Sequence, residues 1–121
     1  MRVLVCGSRG FPRRSMVEWE LDQLKDRYPK LVIVEGCCLD SPDQWAEEWA
    51  VKNNIPIEHF PVTKEEWKDL GKKAGHIRNL KMIQTRPNGM LAFRYRLSKG
   101  TSNTLDHAKE FKIPSIVYDM Y

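Results

Sequence analysis

Apolar residues fall in short runs separated by amphipathic stretches, and the two alternate along the whole chain. Val3-Leu4-Val5-Cys6 is a continuous apolar run ending at Gly7, the pattern of a strand buried on both faces. The spacing of Val17, Leu21, Leu24 and Tyr28 then predicts a helix, with Ser15 and Glu18 as a capping box and Pro29 as its stop. Leu31 to Glu35 reads as the second strand, closed by Gly36. Ser41, Pro42 and Gln44 supply an N-cap, a first-turn proline and a third-position amide for a helix carrying Trp45, Ala46, Trp49 and Ala50. Ile55 to Phe60 is a third strand, and Thr63 with Glu66 caps a short helix through Leu70. Ala74-Gly75 opens a helix whose apolar side comprises Ile77, Leu80, Ile83 and Met82. Arg86-Pro87-Asn88-Gly89 is a turn, Met90 to Phe93 a fourth strand, and Leu97 to Thr101 a loop into a helix with Leu105, Ala108 and Phe111. Ile113 to Tyr118 is a fifth strand.

Strands that alternate with helices in this way predict an α/β class domain, a single Rossmann-like doubly wound unit over residues 1–121 with a mainly parallel sheet of about five strands. The length of 121 residues fits one ordinary domain. A content of 41% apolar and 30% charged residues excludes a disordered chain. Three cysteines, two of them adjacent (Cys37 and Cys38), do not read as a disulfide framework, and no apolar run has the length of a signal peptide or membrane span. The expected location is the cytoplasm, with no membrane partner.

Charge sharpens the picture. The net charge of +4 is unevenly spread: between Trp67 and Gly100 nine basic residues face Asp69 alone, a net of +8, which leaves −4 for the remainder. A basic stretch of this kind attracts polyanions such as nucleotide phosphates or nucleic acid.

In an open parallel sheet, ligands bind beyond the carboxyl ends of the strands. Three of the loops there combine glycine, hydroxyl and charge: Gly7-Ser8-Arg9, Glu35-Gly36 through Asp43, and Ser98-Lys99-Gly100-Thr101. Glycine admits close backbone approach, hydroxyls donate, and the free N–H groups of a helix start attract phosphate. Each loop alone also reads as a plain turn or cap; three on one edge point to a ligand. No GxGxxG or Walker A motif is present. Cys37-Cys38 is not CxxC, and His59, His76 and His107 are scattered, so the spacing predicts no metal site, and no cofactor is expected. Cys37 and Cys38 read as small buried residues beside a glycine turn. Trp45 and Trp49 read as core, with Trp45 also open to stacking on a ligand ring.

Taken together, Val5-Cys6-Gly7-Ser8-Arg9, Glu35-Gly36 with Asp43 and Ala46-Glu47-Glu48-Trp49-Ala50, Ala74-Gly75-His76-Ile77-Arg78-Asn79 with Met82, and Ala92-Phe93 followed by Ser98-Lys99-Gly100-Thr101 resemble the SLOG superfamily (Smf/DprA and LOG-like proteins). The likeness is to its small YspA-like branch of bacteria and phages, and it covers nearly the whole chain. The resemblance implies a Rossmann-like sheet that binds or processes nucleotides or ADP-ribose-type molecules. By position it would set Gly7, Ser8, Arg9, Gly36, Asp43, Arg78 and Asn79 against the ligand, with Ser98, Gly100 and Thr101 on phosphate and Lys99 adding charge. Two departures stand out. The family loop resembling Gly-Gly-x-x-Gly-Ala-Asp is here Gly36-Cys37-Cys38-Leu39-Asp40-Ser41-Pro42-Asp43. The glutamate of the LOG-type Gly-Thr-x-x-Glu is replaced by Thr104. Hydrolysis of an N-glycosidic bond needs a carboxylate, for which Glu35 and Asp43 are the candidates.

The expectation is therefore binding, sensing or sequestration of a small phosphorylated nucleotide-like ligand by a homo-oligomer, a dimer or higher. The first alternative is a nucleotide phosphoribohydrolase or ADP-ribose-processing hydrolase. The second is DprA-like nucleic-acid binding, against which stands the lack of an interleaved aromatic and basic strand pattern.

Overall fold

Leu4, Val5, Ile33, Val34, Ala92 and Phe93 are all completely buried, although they sit side by side in sequence. Successive strand residues point to opposite faces, so such runs require cover on both sides. The computed structural model, which describes residues 1–121, provides it. Its elements are β1 (Arg2–Gly7), α1 (Arg14–Arg27), β2 (Val32–Glu35), α2 (Pro42–Lys52), β3 (Ile57–His59), α3 (Lys64–Leu70), α4 (Lys73–Gln84), β4 (Gly89–Tyr95), α5 (Lys99–Glu110) and β5 (Ser115–Met120). The five strands form one all-parallel sheet in the order β3-β2-β1-β4-β5. This is a Rossmann-like doubly wound α/β fold.

Alternate strand residues build two cores. Val3, Val5, Ile33, Leu91 and Phe93 pack with Val17 and Leu21 of α1 and Ala46, Trp49 and Ala50 of α2. Leu4, Cys6, Val34, Met90 and Ala92 pack with Met82 and Ile83 of α4 and Ala108 of α5. On the first face Phe93 lies edge-on to Phe11 and stacks on Tyr118. Arg94 makes a two-pronged pair with Asp119 (2.6 and 2.9 Å), tying β4 to the edge strand β5.

Several elements differ locally from the sequence expectation. Helix α1 begins at Arg14 with Arg13 at the cap, and Ser15 lies inside it; Glu18 pairs with Arg14 (3.1 Å) instead of completing a capping box. Ser41 does cap α2 with Pro42 in the first turn, but its hydroxyl donates to Cys38 O (2.7 Å), and Gln44 accepts from Asp40 N–H (2.8 Å). The reciprocal box of Thr63 and Glu66 forms as expected. Ile77 is exposed, because α4 turns Ala74, Met82 and Ile83 to the sheet. Strand β3 is shorter than Ile55–Phe60. Strand β5 runs two residues beyond Tyr118, with Ile116 and Val117 exposed at the sheet edge. No helix is long and apolar enough to cross a membrane.

Candidate functional site

The strand order reverses between β1 and β4, which both point their carboxyl ends into the same crevice. There the β1–α1 and β4–α5 loops meet through hydroxyls. Ser8 is buried, its Oγ hydrogen-bonds Ser98 Oγ, lies 3.2 Å from Thr101 Oγ1, and accepts from Tyr95 N–H at 2.9 Å. Ser8 N–H also continues the sheet by donating to Phe93 O (2.9 Å). Ser98 is the N-cap of α5, so this cluster stands at the positive end of a 12-residue helix. A Cβ built on Gly100 would meet nothing within 4 Å, so the first turn of α5 is open to the crevice.

The crevice is a cavity of about 630 Å³, within the roughly 300–1,000 Å³ range of ligand sites. Its wall includes Gly7, Ser8, Arg9, Asp43, Arg78, Asn79, Ser98, Lys99, Gly100 and Thr101. The fold thus brings together ten of the residues singled out in the sequence, from four separate segments. Glu35 and Gly36 lie outside this wall. Trp45 is also elsewhere, half-buried beside the first core with the Arg14 guanidinium over its ring at 6.0 Å.

Gly7 is a packing requirement as much as a ligand surface: an added Cβ would lie 2.7 Å from Phe93 O and against the ring of Pro42. Gly36 makes room for Arg78, whose Nε would be 2.9 Å from a Cβ there. Arg78 commits most of its donors to protein: Nη1 to Gly36 O and Phe60 O, Nε to Asn79 Oδ1 (2.8 Å). Only Nη2 is without a hydrogen-bond partner. Arg9, Lys72 and Lys99 are exposed at the rim and take part in no ion pair.

The wall also includes Trp67, Lys72, His76 and Thr104, which were not among the predicted ligand-binding residues. Their signal in the sequence was the basic stretch itself, which carries Lys72 and ends at the α5 loop. Trp67 reaches the cavity because the Thr63 cap fixes α3 beside α4. Thr104 is buried and donates to Gly100 O (3.1 Å), so its hydroxyl braces the first turn of α5.

The two candidate carboxylates separate cleanly. Asp43, in the first turn of α2, faces the cavity and accepts from Gly36 N–H (3.2 Å). Burial pushes its carboxyl up to about 7; the Arg78 charge opposes the rise and Glu35 adds to it. Glu35 is completely buried on the far side of the same loop. Its Oε1 lies 2.5 Å from His59 Nδ1 and 3.3 Å from Cys37 Sγ, and Oε2 accepts from Cys37 N–H (2.5 Å). Burial and the Glu35 charge push the Cys37 thiol up to about 12. Cys37 and Cys38 are both half-buried and unbridged.

Comparison with known proteins identifies the family. Residues 1–67 match the model of YAcAr, the YspA, cpYpsA-related SLOG family. The chain belongs to that SLOG family. It is also similar to the Gene 61 protein of Mycobacterium phage D29, at 36% identity over 124 aligned positions covering 95% of this chain and 94% of that protein. No solved structure matches it. The stretch matched by the SLOG model contains Gly7, Ser8, Arg9 and Asp43, so one part of the crevice wall lies in the segment that carries the family likeness.

Proposed function

We propose that this SLOG protein binds a nucleotide or ADP-ribose-type small molecule in the crevice at the carboxyl edge of its sheet. The observation that carries the reading is the hydroxyl cluster of Ser8, Ser98 and Thr101 at the open N-terminus of α5, beneath Arg9 and Lys99. Such a cradle offers backbone N–H groups, hydroxyl donors and cations to one phosphate. Four cations (Arg9, Lys72, Arg78, Lys99) against Asp43 favour an anionic ligand. Trp67, exposed on the opposite wall, offers a ring face for a base. A cavity of about 630 Å³ has the size of a small-molecule site, so a small ligand is preferred. The three free thiols suit a reducing compartment.

Calorimetric titration with AMP, ADP-ribose, NAD and cyclic ADP-ribose isomers tests the reading. One of them should bind at one equivalent per chain. Arg9→Ala and Lys99→Ala, both remote from the core, should each weaken binding by about tenfold or more, the worth of a charged hydrogen bond. Folded protein that gives no heat with any of the four, or unchanged affinity in both variants, rejects it.

Asp43 favours one second reading. A cavity carboxyl with a pKa near neutrality is suited to general acid or base work on an N-glycosidic bond. That reading requires free base or ribose phosphate on chromatography after incubation with nucleotides, and Asp43→Asn must abolish it.

A further inference from the structure

Glu35, Cys37 and His59 come from the end of β2, the start of the following loop and the end of β3, which are neighbours in the sheet. One ligand atom from each lies within 4.8 Å of the other two. Cys37 Sγ is 3.3 Å from both Glu35 Oε1 and His59 Nδ1. A tetrahedral zinc ion with bonds of about 2.0–2.3 Å sets its ligand atoms about 3.3–3.6 Å apart, so two of the three edges already have that length. The third, His59 Nδ1 to Glu35 Oε1, is a hydrogen bond of 2.5 Å that opens by less than an ångström of side-chain movement. Glu47, one turn into α2 beyond Asp43, holds an oxygen 3.9 Å from the same His59 nitrogen.

We propose that Glu35, Cys37, His59 Nδ1 and Glu47 form a binding site for a borderline-soft divalent metal ion of the zinc type. The ligand set is one thiolate, one imidazole and two carboxylates, all within zinc's usual repertoire. Charge supports it independently of distance. Glu35 is a completely buried carboxyl whose ion-pair partner is a histidine, with no lysine or arginine in pairing range. A buried negative group of this kind is costly without a matching cation. Glu47 adds a second negative group beside it, and a divalent ion neutralises both. His59 and Glu47 are partly exposed, which gives an ion a way in from solvent. On binding, the Cys37 thiol proton leaves to solvent, the hydrogen between His59 Nδ1 and Glu35 is displaced to Nε2 or to solvent, and no oxidation or reduction occurs. The bound ion would pin the β2–α2 loop to β3, on the opposite side of that loop from Asp43. The site does not depend on the phosphate reading of the crevice.

The loop backbone supplies a test variant. Cys37 has φ +57°, a left-handed conformation that glycine adopts freely. Cys37→Gly therefore removes the thiol while easing the backbone, and it should fold at least as well as the parent in chelator. Reduced, metal-stripped protein is titrated with Zn²⁺ by calorimetry, and with Co²⁺ by absorbance. The expected result is one equivalent of each metal, with a near-ultraviolet sulfur-to-cobalt charge-transfer band. Cys37→Gly should abolish that band. Cys37→Gly and His59→Gln should each weaken Zn²⁺ on the order of 100-fold, an equal share of the affinity of a four-ligand site, while Cys38→Ser changes neither signal. Absence of Zn²⁺ binding, a cobalt spectrum without the thiolate band, or retained affinity in either Cys37→Gly or His59→Gln overturns the proposal. So does a loss of binding in Cys38→Ser equal to that in Cys37→Gly.

Discussion

Asp43 offers the sharpest test of the crevice, because its burial makes a prediction about stability that needs no ligand. Its folded pKa of about 7 stands above that of an exposed aspartate, near 3.9. The folded protein therefore holds a proton that the unfolded chain has already released between these two values. Stability must fall as pH rises through that window, by about 1.4 kcal/mol per unit, and level off above about pH 7. Between pH 5 and pH 8 this amounts to about 3 kcal/mol, a large share of a small domain's total. Asp43→Asn keeps an oxygen to accept from Gly36 N–H and cannot ionise. Urea denaturation of both proteins at several pH values isolates the effect, since all other titrating groups are common to the two. The difference in stability should swing by about 3 kcal/mol in favour of the asparagine variant from pH 5 to pH 8. Parallel curves, separated by a constant over that range, would show that Asp43 is solvated in the folded protein and refute its burial in the crevice wall.

Two further predictions contrast glycines of the same crevice. Gly7→Ala should destabilise the protein by about 3 kcal/mol in urea denaturation, the upper end of overpacking, because its Cβ would meet the fixed Phe93 carbonyl and the Pro42 ring; a loss below about 0.5 kcal/mol would contradict the close approach of α2 to β1. Gly100→Ala should do the reverse, since it lies in α5 with open space around it. It should stabilise by about 0.4–1 kcal/mol while lowering nucleotide affinity, as the methyl would occupy the proposed phosphate position. Tighter nucleotide binding in this variant would exclude the first turn of α5 from the site.

The fold was legible because both faces of the sheet are covered. Runs such as Val3 to Cys6 and Met90 to Phe93 can only be strands buried twice over, and the helices between them follow from periodicity and caps. The capping error at Ser15 shows the limit. Arg14 joins the helix and pairs with Glu18 one turn on and with Glu48 across in α2, the second an interaction that no local rule contains. The crevice was legible for a related reason: strand-to-helix loops of a parallel sheet must share an edge, so three unusual loops imply one site. Trp67 and Lys72 were hidden because α3 and α4 reach that edge from the side, as a matter of helix docking rather than loop order. The grouping of Glu35, Cys37 and His59 was hidden more deeply. His59 lies 24 residues from Glu35 and meets it only because β2 and β3 pair in register, Glu35 opposite His59.

The β2–α2 loop is where this chain departs most from its family pattern, and its backbone shows what the departure entails. Cys37 (φ +57°) and Asp40 (φ +51°) are the two non-glycine residues of the loop in the left-handed region, which favours glycine. Two positions of the loop thus carry a side chain where glycine would be unstrained. Each replacement costs on the order of 1–2 kcal/mol for an ordinary side chain. Asp40 recovers part of that cost, since aspartate tolerates the conformation and its N–H is held by Gln44. Cysteine has no such tolerance, and its side chain is aimed at Glu35 and His59. A strained residue persists where its surroundings or its task hold it there. The strain falls on the residue that supplies the thiol, and the carboxylate and imidazole it meets are equally absent from a simple phosphate loop. The loop therefore has two distinct sides: Asp43 and the crevice on one, Glu35 with its cysteine and histidine on the other, with Gly36 between them, its N–H on Asp43 and its carbonyl on Arg78. The pH profile of Asp43, measured with and without Zn²⁺, tests whether the two sides are connected through the backbone flanking Gly36.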